Sequence, residues 1–170
     1  WKMTEENGAV WRSADELLNQ ALRYRTYWKN SGGITVSGGE PLLQIDFMLE
    51  FFKKAKEKGI HTVIDTAGGP FTREEPFFSK FQELMKYTDL LLVDIKHIDN
   101  KYHKVLTGRS NENILDMIRY LSDIKKPIWI RHVLVPERSD KDEYLTRLAD
   151  FIHSLNNVEK VEILPYHTMG

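Results

Sequence analysis

The chain has 170 residues, and 24 Lys and Arg against 25 Asp and Glu give it a formal net charge of −1 at pH 7. This length is typical of one domain, and a near-neutral charge argues against a protein whose main task is electrostatic binding of nucleic acid. Hydrophobic residues make up 41% of the chain and charged residues 29%, which is typical of a globular protein and excludes general disorder. The sequence has no apolar run of about 18 residues, so we expect no membrane span.

Cysteine is absent from the sequence. This excludes disulfides, a cysteine nucleophile and any thiolate-ligated cluster built from this chain alone. It is consistent with a reducing compartment, and we expect a cytoplasmic location. The first residues, Trp1-Lys2-Met3, are neither an initiating Met nor a signal peptide, and we interpret them as a start inside a longer protein.

The first predicted helix begins after Ser13, because Ser13 with Glu16 three residues later forms a capping-box pattern. Apolar residues follow at helical spacing as far as Trp28. A strand is predicted next, over residues 34–37, and a helix over 42–58.

Gly59 is expected to end the helix over 42–58, since glycine is common just past the last helical turn. We interpret the lysines near that end, Lys53, Lys54, Lys56 and Lys58, as a solvated face. Strands and helices then alternate to the end of the chain. The remaining strands are predicted over 60–65, 90–95, 128–134 and 158–164, and the remaining helices over 73–87, 111–122 and 140–155.

This alternation of strand and helix predicts an α/β fold with parallel strands joined by right-handed crossovers. About five such strands fit either an open doubly wound sheet or an arc of a (β/α) barrel. A complete barrel needs about 250 residues, so we predict a partial (β/α) barrel. No linker divides the sequence, and we expect one domain over residues 1–170.

In parallel α/β folds, ligands bind at the carboxyl ends of the strands. Polar residues stand at this end of every predicted strand, which predicts a site for a small, charged ligand. These residues are Gly38, Gly39 and Glu40 after the first strand, Asp65 and Thr66 after the second, Asp94 and Lys96 after the third, Arg131 and His132 in the fourth, and His167 after the fifth.

Several of these residues have two interpretations. Gly38-Gly39 is either a tight turn or a backbone that approaches a ligand closely, so that its carbonyls and the Glu40 carboxylate accept from an ammonium group. Asp65 and Asp94 either cap helices or share a cation or polar ligand, because paired carboxylates repel unless neutralised.

Lys96 lies on the same strand face as Asp94 and can neutralise it. Arg131 is either an internal ion-pair partner or a donor to a ligand carboxylate. The other histidines lack a metal-like spacing, and we interpret them as surface or packed residues; they are His61, His97, His103 and His153. His167 is a candidate ligand contact because it follows Pro165-Tyr166 at a strand end.

Together these segments resemble a known family. Residues 31–44, Ser-Gly-Gly-Ile-Thr-Val-Ser-Gly-Gly-Glu-Pro-Leu-Leu-Gln, resemble the Gly-Gly-Glu segment of radical S-adenosylmethionine enzymes. Residues 60–68, 92–96, 129–136 and 158–170 are similar to the glycyl-radical-enzyme activases. The resemblance runs in order from about Asp15 to Gly170.

The resemblance implies a partial (β/α)6 barrel that holds a [4Fe–4S] cluster and S-adenosylmethionine. In this family the reduced cluster cleaves S-adenosylmethionine to methionine and a 5′-deoxyadenosyl radical, which abstracts a hydrogen from a glycine of the partner. The implied partner is a glycyl-radical enzyme, pyruvate formate-lyase or a relative, and the implied electron donor is flavodoxin or ferredoxin. Nucleic acid and membrane are not expected as partners.

The resemblance also implies roles for the candidate residues. Gly38, Gly39 and Glu40 match positions that meet the methionyl amino group. Asp65, Thr66 and Asp94 match the surroundings of a monovalent cation near the cofactor carboxylate. The residues that match donors to the cofactor are Lys96, Arg131 and His167.

The chain departs from the family in two places. The family's cluster ligands form a Cys-xxx-Cys-xx-Cys motif upstream of a segment like Trp1-Lys2-Met3, and that motif and the first strand are absent. We interpret the loss as truncation, so we expect the cluster only in the intact protein and no activity from this chain alone. In addition, Ala67 replaces the usual asparagine of the Asp-Thr-Asn-Gly motif.

Two further functions remain open from the sequence. One is an activase of a different glycyl-radical enzyme. The other is a cysteine-free, non-catalytic binding module. Three cysteines at the family spacing in the upstream coding sequence would favour an activase, and their absence would favour a binding module.

Overall fold

The computed structural model describes residues 10–29 and 32–166. The chain forms two compact units, the first made of residues 1–65 and 73–89 and the second of residues 66–72 and 90–170. The prediction of a single domain over residues 1–170 stays a prediction. No helix in the described part of the chain is long and apolar enough to cross a membrane.

The described residues of the first unit form three α-helices and two strands. Strands β1 and β2 pair in parallel, with Gly33 opposite His61 and Val36 opposite Ile64. Two short 3₁₀ helices lie at Arg25–Tyr27 and Pro41–Gln44. In chain order the main elements are α1 (Ala14–Leu22), β1 (Gly33–Val36), α2 (Ile45–Glu57), β2 (His61–Thr66) and α3 (Phe77–Lys86).

The described residues of the second unit form three parallel strands and three α-helices. Asp94 on β3 lies opposite Arg131 on β4, and Arg131 lies opposite Glu162 on β5. In chain order the elements are β3 (Leu90–Asp94), α4 (Asn100–Thr107), α5 (Glu112–Asp123), β4 (Ile128–Leu134), α6 (Asp142–His153) and β5 (Val158–Pro165). The predicted α/β class with five parallel strands is confirmed.

Each unit buries its own apolar side chains. In the first unit α2 packs between α1 and α3, and Phe51, Phe52 and Phe81 are fully buried. In the second unit the fully buried side chains include Leu91 on β3 and Met117 on α5. Burial of this apolar surface is the main favourable contribution to the free energy of folding.

Asp89 connects α2 to β2 within the first unit. Its carboxylate accepts from Lys56 Nζ at 2.8 Å and from the Thr62 backbone N–H at 2.8 Å. Burial alone would raise the pKa of Asp89, but the bonds from Lys56 and Thr62 lower it below its usual range. Two of the four lysines predicted as a solvated face form ion pairs. Lys56 pairs with Asp89, and Lys54 pairs with Asp15 on α1.

The helix starts differ from the predicted ones where the local chemistry changes. The predicted helix over 73–87 begins only at Phe77, and Pro76 is its N-cap. A proline disfavours helical backbone at the residue before it, so the helix does not extend further toward the N-terminus. The predicted helix over 42–58 starts as 3₁₀ and becomes α-helical at Ile45. The first helix ends at Leu22, so Trp28 is not part of it.

The predicted capping box at Ser13 and the predicted helix end at Gly59 are confirmed. Ser13 and Glu16 form both hydrogen bonds of the capping box at α1. Gly59 follows the C-cap of α2 with a left-handed φ of +67°. Helix α4, which the sequence analysis did not predict, begins after Asp99, whose side chain accepts from the Lys101 and Tyr102 backbone N–H groups.

Candidate functional site

The carboxyl end of β1 is a bend with two left-handed glycines. Gly38 has φ +89° and Gly39 has φ +57°, conformations that L side chains rarely adopt. A Cβ built on either glycine meets no atom within 4 Å, so the backbone there borders open space. The turn is therefore tight and its backbone is accessible, whereas the close approach of a ligand to it stays a prediction.

Glu40 follows this bend and caps the 3₁₀ helix that comes next. Its Oε1 accepts from the Leu42 backbone N–H at 3.1 Å, which fixes the direction of the carboxylate. The side chain is half-buried. A carboxylate accepts several hydrogen bonds, so this cap is compatible with a second donor.

The carboxyl end of β2 contains Asp65 and Thr66. Thr66 is 2% exposed, and its Oγ1 accepts from the Gly68 backbone N–H at 2.8 Å. Asp65 is half-buried. It does not cap α3, whose cap is Pro76, so the alternative role of a helix cap is wrong for Asp65.

Asp94, at the end of β3, accepts from two cations. Its Oδ2 lies 2.7 Å from Lys96 Nζ and its Oδ1 lies 2.8 Å from Arg131 Nε. The cap of α4 is Asp99, so the helix-cap alternative is also wrong for Asp94. We refer to Asp94, Lys96 and Arg131 as the Asp94 cluster.

The Asp94 cluster combines one carboxylate with two cations, so its three side chains sum to one positive charge. The Asp94 and Arg131 side chains are 18% and 19% exposed, whereas Lys96 is 39% exposed. Lys96 is therefore the member most accessible to a ligand. An accessible cation held by a half-buried carboxylate suits a ligand with an anionic group.

The segment after Lys96 is held by side chains rather than by regular structure. His97 is fully buried, and its Nδ1 accepts from the Asp99 backbone N–H at 2.9 Å. The Asn111 side chain donates to the carbonyls of His97 and Ile98 at 3.0 and 2.9 Å. We refer to His97 and Asn111 as the His97–Asn111 pair. The sequence analysis did not connect these residues, since 14 positions separate them.

Hydrogen bonds near this segment shift the pKa values of two further groups, Asp99 and Tyr144. The Arg147 guanidinium, 2.9 Å from Asp99, lowers the pKa of Asp99 below its usual range. The hydrogen-bonded Tyr102 hydroxyl raises the pKa of Tyr144 to about 12. Tyr144 therefore stays neutral at physiological pH beside His97.

The carboxyl end of β4 is packed tightly against β3. His132 is 2% exposed, and its Nδ1 lies 2.6 Å from the Ile95 carbonyl oxygen. In the loop that follows, Ser139 Oγ donates to the Val133 carbonyl and accepts from the Val135 N–H. These bonds are structural, and they hold the loop close to the strand end.

His167, predicted at the end of β5, lies outside the described residues. Tyr166 beside it is 52% exposed. Among the other histidines, His97 and His103 are packed in the interior, whereas His61 and His153 are exposed. This agrees with their interpretation as packed or surface residues.

The structure thus brings Asp94, Lys96 and Arg131 together. Glu40 and Asp65 lie in the first unit and the Asp94 cluster lies in the second. Convergence of all five side chains in one cleft stays a prediction. In residues 10–29 and 32–166, no group of three or more His, Cys, Asp or Glu side chains is arranged to hold a metal ion.

The parallel α/β fold of this chain also occurs in solved proteins. In this chain it carries the glycine bend, the polar strand ends and the Asp94 cluster. A domain of pyruvate-formate lyase-activating enzyme from Bacteroides vulgatus aligns with a TM-score of 0.72 and 32% identity, over 81% of this chain and 83% of that one. Streptococcus suis SuiB bound to S-adenosylmethionine aligns with a TM-score of 0.73 over 93% of this chain and 34% of SuiB. At 18% identity, the likeness to SuiB shows the fold alone.

The chain belongs to the radical SAM superfamily, whose family model matches residues 1–149. Within it, the pyruvate formate-lyase-activating enzyme of Streptococcus mutans is 51% identical over 170 residues, which is all of this chain and 64% of the relative. The enzyme of the same name from Staphylococcus epidermidis is 53% identical over 171 residues and 67% of its length. The chain therefore spans about two thirds of the length of these relatives.

Proposed function

We propose that the protein acts as a pyruvate formate-lyase-activating enzyme, which uses S-adenosylmethionine and a [4Fe–4S] cluster to generate a glycyl radical on its partner. The observation that carries this proposal is the identity of 51–53% over the whole chain to relatives of that name. The partner is then a glycyl-radical enzyme, and the electron donor a small redox protein such as flavodoxin or ferredoxin. The location that fits this activity is the cytoplasm.

The residues at the strand ends fit S-adenosylmethionine. The open backbone of Gly38 and Gly39 and the oriented Glu40 carboxylate are acceptors for its methionyl amino group. Lys96 and Arg131 are donors for its carboxylate, with Asp94 holding both cations in place. When bound, S-adenosylmethionine supplies the chemistry that removes a hydrogen atom from a glycine of the partner.

Two further assignments complete the proposed site. Asp65, Thr66 and Asp94 surround a monovalent cation, since two carboxylates and a hydroxyl suit a hard cation. His167 is an additional donor to the cofactor.

The [4Fe–4S] cluster does not fit the residues of this chain, which contains no cysteine. Iron–sulfur clusters are held by cysteine thiolates, so the proposal places the cluster ligands in sequence outside these 170 residues. The role proposed for this chain's own residues is to bind and orient S-adenosylmethionine.

The activity is tested with the full-length protein, reconstituted anaerobically and mixed with pyruvate formate-lyase. We expect an electron paramagnetic resonance signal of a glycyl radical that depends on S-adenosylmethionine. Cleavage of S-adenosylmethionine without a radical on pyruvate formate-lyase would contradict the partner. A radical on another glycyl-radical enzyme would then replace that partner.

The site is tested by titrating S-adenosylmethionine against Glu40→Ala and His153→Ala in the full-length protein. Loss of a charge-assisted hydrogen bond costs about 1.5–3 kcal/mol, so Glu40→Ala should weaken affinity about 10- to 150-fold. His153 is exposed at the end of α6, so its replacement is the matched control and should leave affinity unchanged. Equal affinities of the two variants would overturn the role of Glu40.

A further inference from the structure

His97 is the residue directly after Lys96, and both of its ring nitrogens are engaged. Nδ1 accepts from the Asp99 backbone N–H at 2.9 Å, and Nε2 lies 3.3 Å from the Arg138 carbonyl oxygen in the loop after β4. The ring is fully buried. A buried imidazole with two backbone partners is held in one orientation.

These two bonds define the protonation state of the ring. Nδ1 accepts a hydrogen bond and therefore carries no proton. The proton is on Nε2, and this N–H donates a hydrogen bond to the Arg138 carbonyl. Burial lowers the pKa of His97, which favours the same neutral form. A charged imidazole would place a second N–H against the Asp99 N–H and lose the bond.

Aromatic rings hold the imidazole from the sides. The ring centroid of Tyr144 on α6 lies 4.5 Å away at a steep angle, and that of Tyr102 on α4 lies 5.3 Å away. Asn111 holds the backbone of the same segment through the carbonyls of His97 and Ile98. The chain from 97 to 99 is therefore fixed by contacts from α4, α5, α6 and the loop after β4.

The residue before Lys96 is fixed as well. The Ile95 N–H donates to the Arg131 carbonyl at 2.9 Å, and the Ile95 carbonyl lies 2.6 Å from His132 Nδ1. Lys96 therefore stands between two immobilised neighbours. Because the backbone of Lys96 is already fixed, holding its amine at Asp94 costs rotamer entropy of the side chain but no further backbone entropy.

We propose that His97 is a positioning residue that holds Lys96 at Asp94 and so prepares the cation for the anionic group of a bound ligand. The proposal rests on the proposed function, in which Lys96 is a donor to the carboxylate of S-adenosylmethionine. His97 itself does not touch the ligand. Its contribution is the geometry of the segment that carries Lys96.

The test is a double-mutant cycle in the full-length, reconstituted protein, read out as the affinity for S-adenosylmethionine. His97→Phe keeps the aromatic contacts with Tyr102 and Tyr144 and removes both nitrogens. We expect it to weaken affinity about tenfold when Lys96 is present and less than about twofold in a Lys96→Met background. Equal losses in both backgrounds would show a general structural role and overturn the proposal.

Two further variants keep this result interpretable if His97→Phe folds poorly. His97→Asn keeps an acceptor for the Asp99 N–H, so it should recover part of the affinity and slow the hydrogen exchange of that amide relative to His97→Phe. His103→Phe is the matched control, because His103 is also a buried histidine but is bonded to the Arg109 carbonyl instead. A loss of affinity in His103→Phe as large as in His97→Phe would contradict positioning through Lys96.

The failures of the two proposals are distinguishable. If Lys96→Met binds S-adenosylmethionine as tightly as the wild type, Lys96 is not a ligand donor and both the site assignment and the role of His97 fail. If Lys96→Met weakens binding and His97→Phe does not, only the role of His97 is overturned. A glycyl radical formed normally by His97→Phe at saturating S-adenosylmethionine would support an effect on binding geometry alone.

Discussion

Arg131 and Lys96 reach the same carboxylate by different routes. Arg131 is the register partner of Asp94 on the neighbouring strand, whereas Lys96 lies two residues beyond Asp94, in the bend just after β3. Only two positions separate Lys96 from Asp94, so their contact follows from local geometry. The contact with Arg131 requires the pairing of β3 with β4.

Gly68 and Gly59 offer a test of how tertiary contacts add to backbone strain. Both have a left-handed φ, +72° and +67°, but a Cβ on Gly68 would lie 2.6 Å from Met117 Cε, while a Cβ on Gly59 meets nothing within 4 Å. We expect Gly59→Ala to lower the free energy of unfolding by about 1 kcal/mol through strain alone. Gly68→Ala should lower it by about 2–3 kcal/mol, because fully buried Met117 must also move.

Urea denaturation of the two alanine variants and the wild type measures this difference. The slope of the transition should not change, so the shift in midpoint reports stability directly. Equal destabilisation of the two variants would mean that Met117 adapts without cost.

At the level of elements, α4 shows what makes a helix hard to recognise from sequence. Among its side chains only His103 is buried, so no apolar stripe marks it. Its boundaries are set instead by the Asp99 cap and by Gly108, which has a φ of +74° at its end. The helices with clear stripes, α2 and α5, were predicted close to their observed bounds.

Replacements of Asp99 test the cap of α4. Its Oδ1 accepts from the Lys101 and Tyr102 N–H groups, and its Oδ2 accepts from Arg147. Asp99→Ala should lower the free energy of unfolding by about 1 kcal/mol, as loss of a helix cap does. Asp99→Asn keeps a capping oxygen and loses a partly exposed ion pair, so its cost should stay below about 0.5 kcal/mol.

Thermal or urea unfolding of both Asp99 variants distinguishes capping from ion pairing. Arg147→Ala is the matched control for the ion pair, since it leaves the cap intact. Losses that are equal for Asp99→Asn and Asp99→Ala would assign the stabilisation to Arg147 rather than to the cap.

This chain spans about two thirds of the length of its relatives. It carries the fold and the Asp94 cluster but contains no cysteine. In the proposed function, the residues that bind S-adenosylmethionine are therefore separate in sequence from the residues that ligate the cluster. This separation has a direct spectroscopic consequence.

We expect the 170-residue chain, reconstituted anaerobically with iron and sulfide, to show no iron–sulfur absorption, because it has no thiolate ligand. The full-length protein under the same conditions is the positive control. A stoichiometric [4Fe–4S] signal from the chain itself would contradict the prediction and require ligands other than cysteine.

The sequence by itself determined the α/β class, the order of the elements except α4, and the polar residues at the strand ends. These features depend on local periodicity, on caps such as Ser13 with Glu16, and on the rule that strand ends carry the site. Only the tertiary structure decided that Arg131 pairs with Asp94 and that Asn111 and the loop after β4 fix His97 beside Lys96. Such contacts join residues 14 to 41 positions apart, and no periodic pattern records which distant side chains a strand register and a loop will bring together.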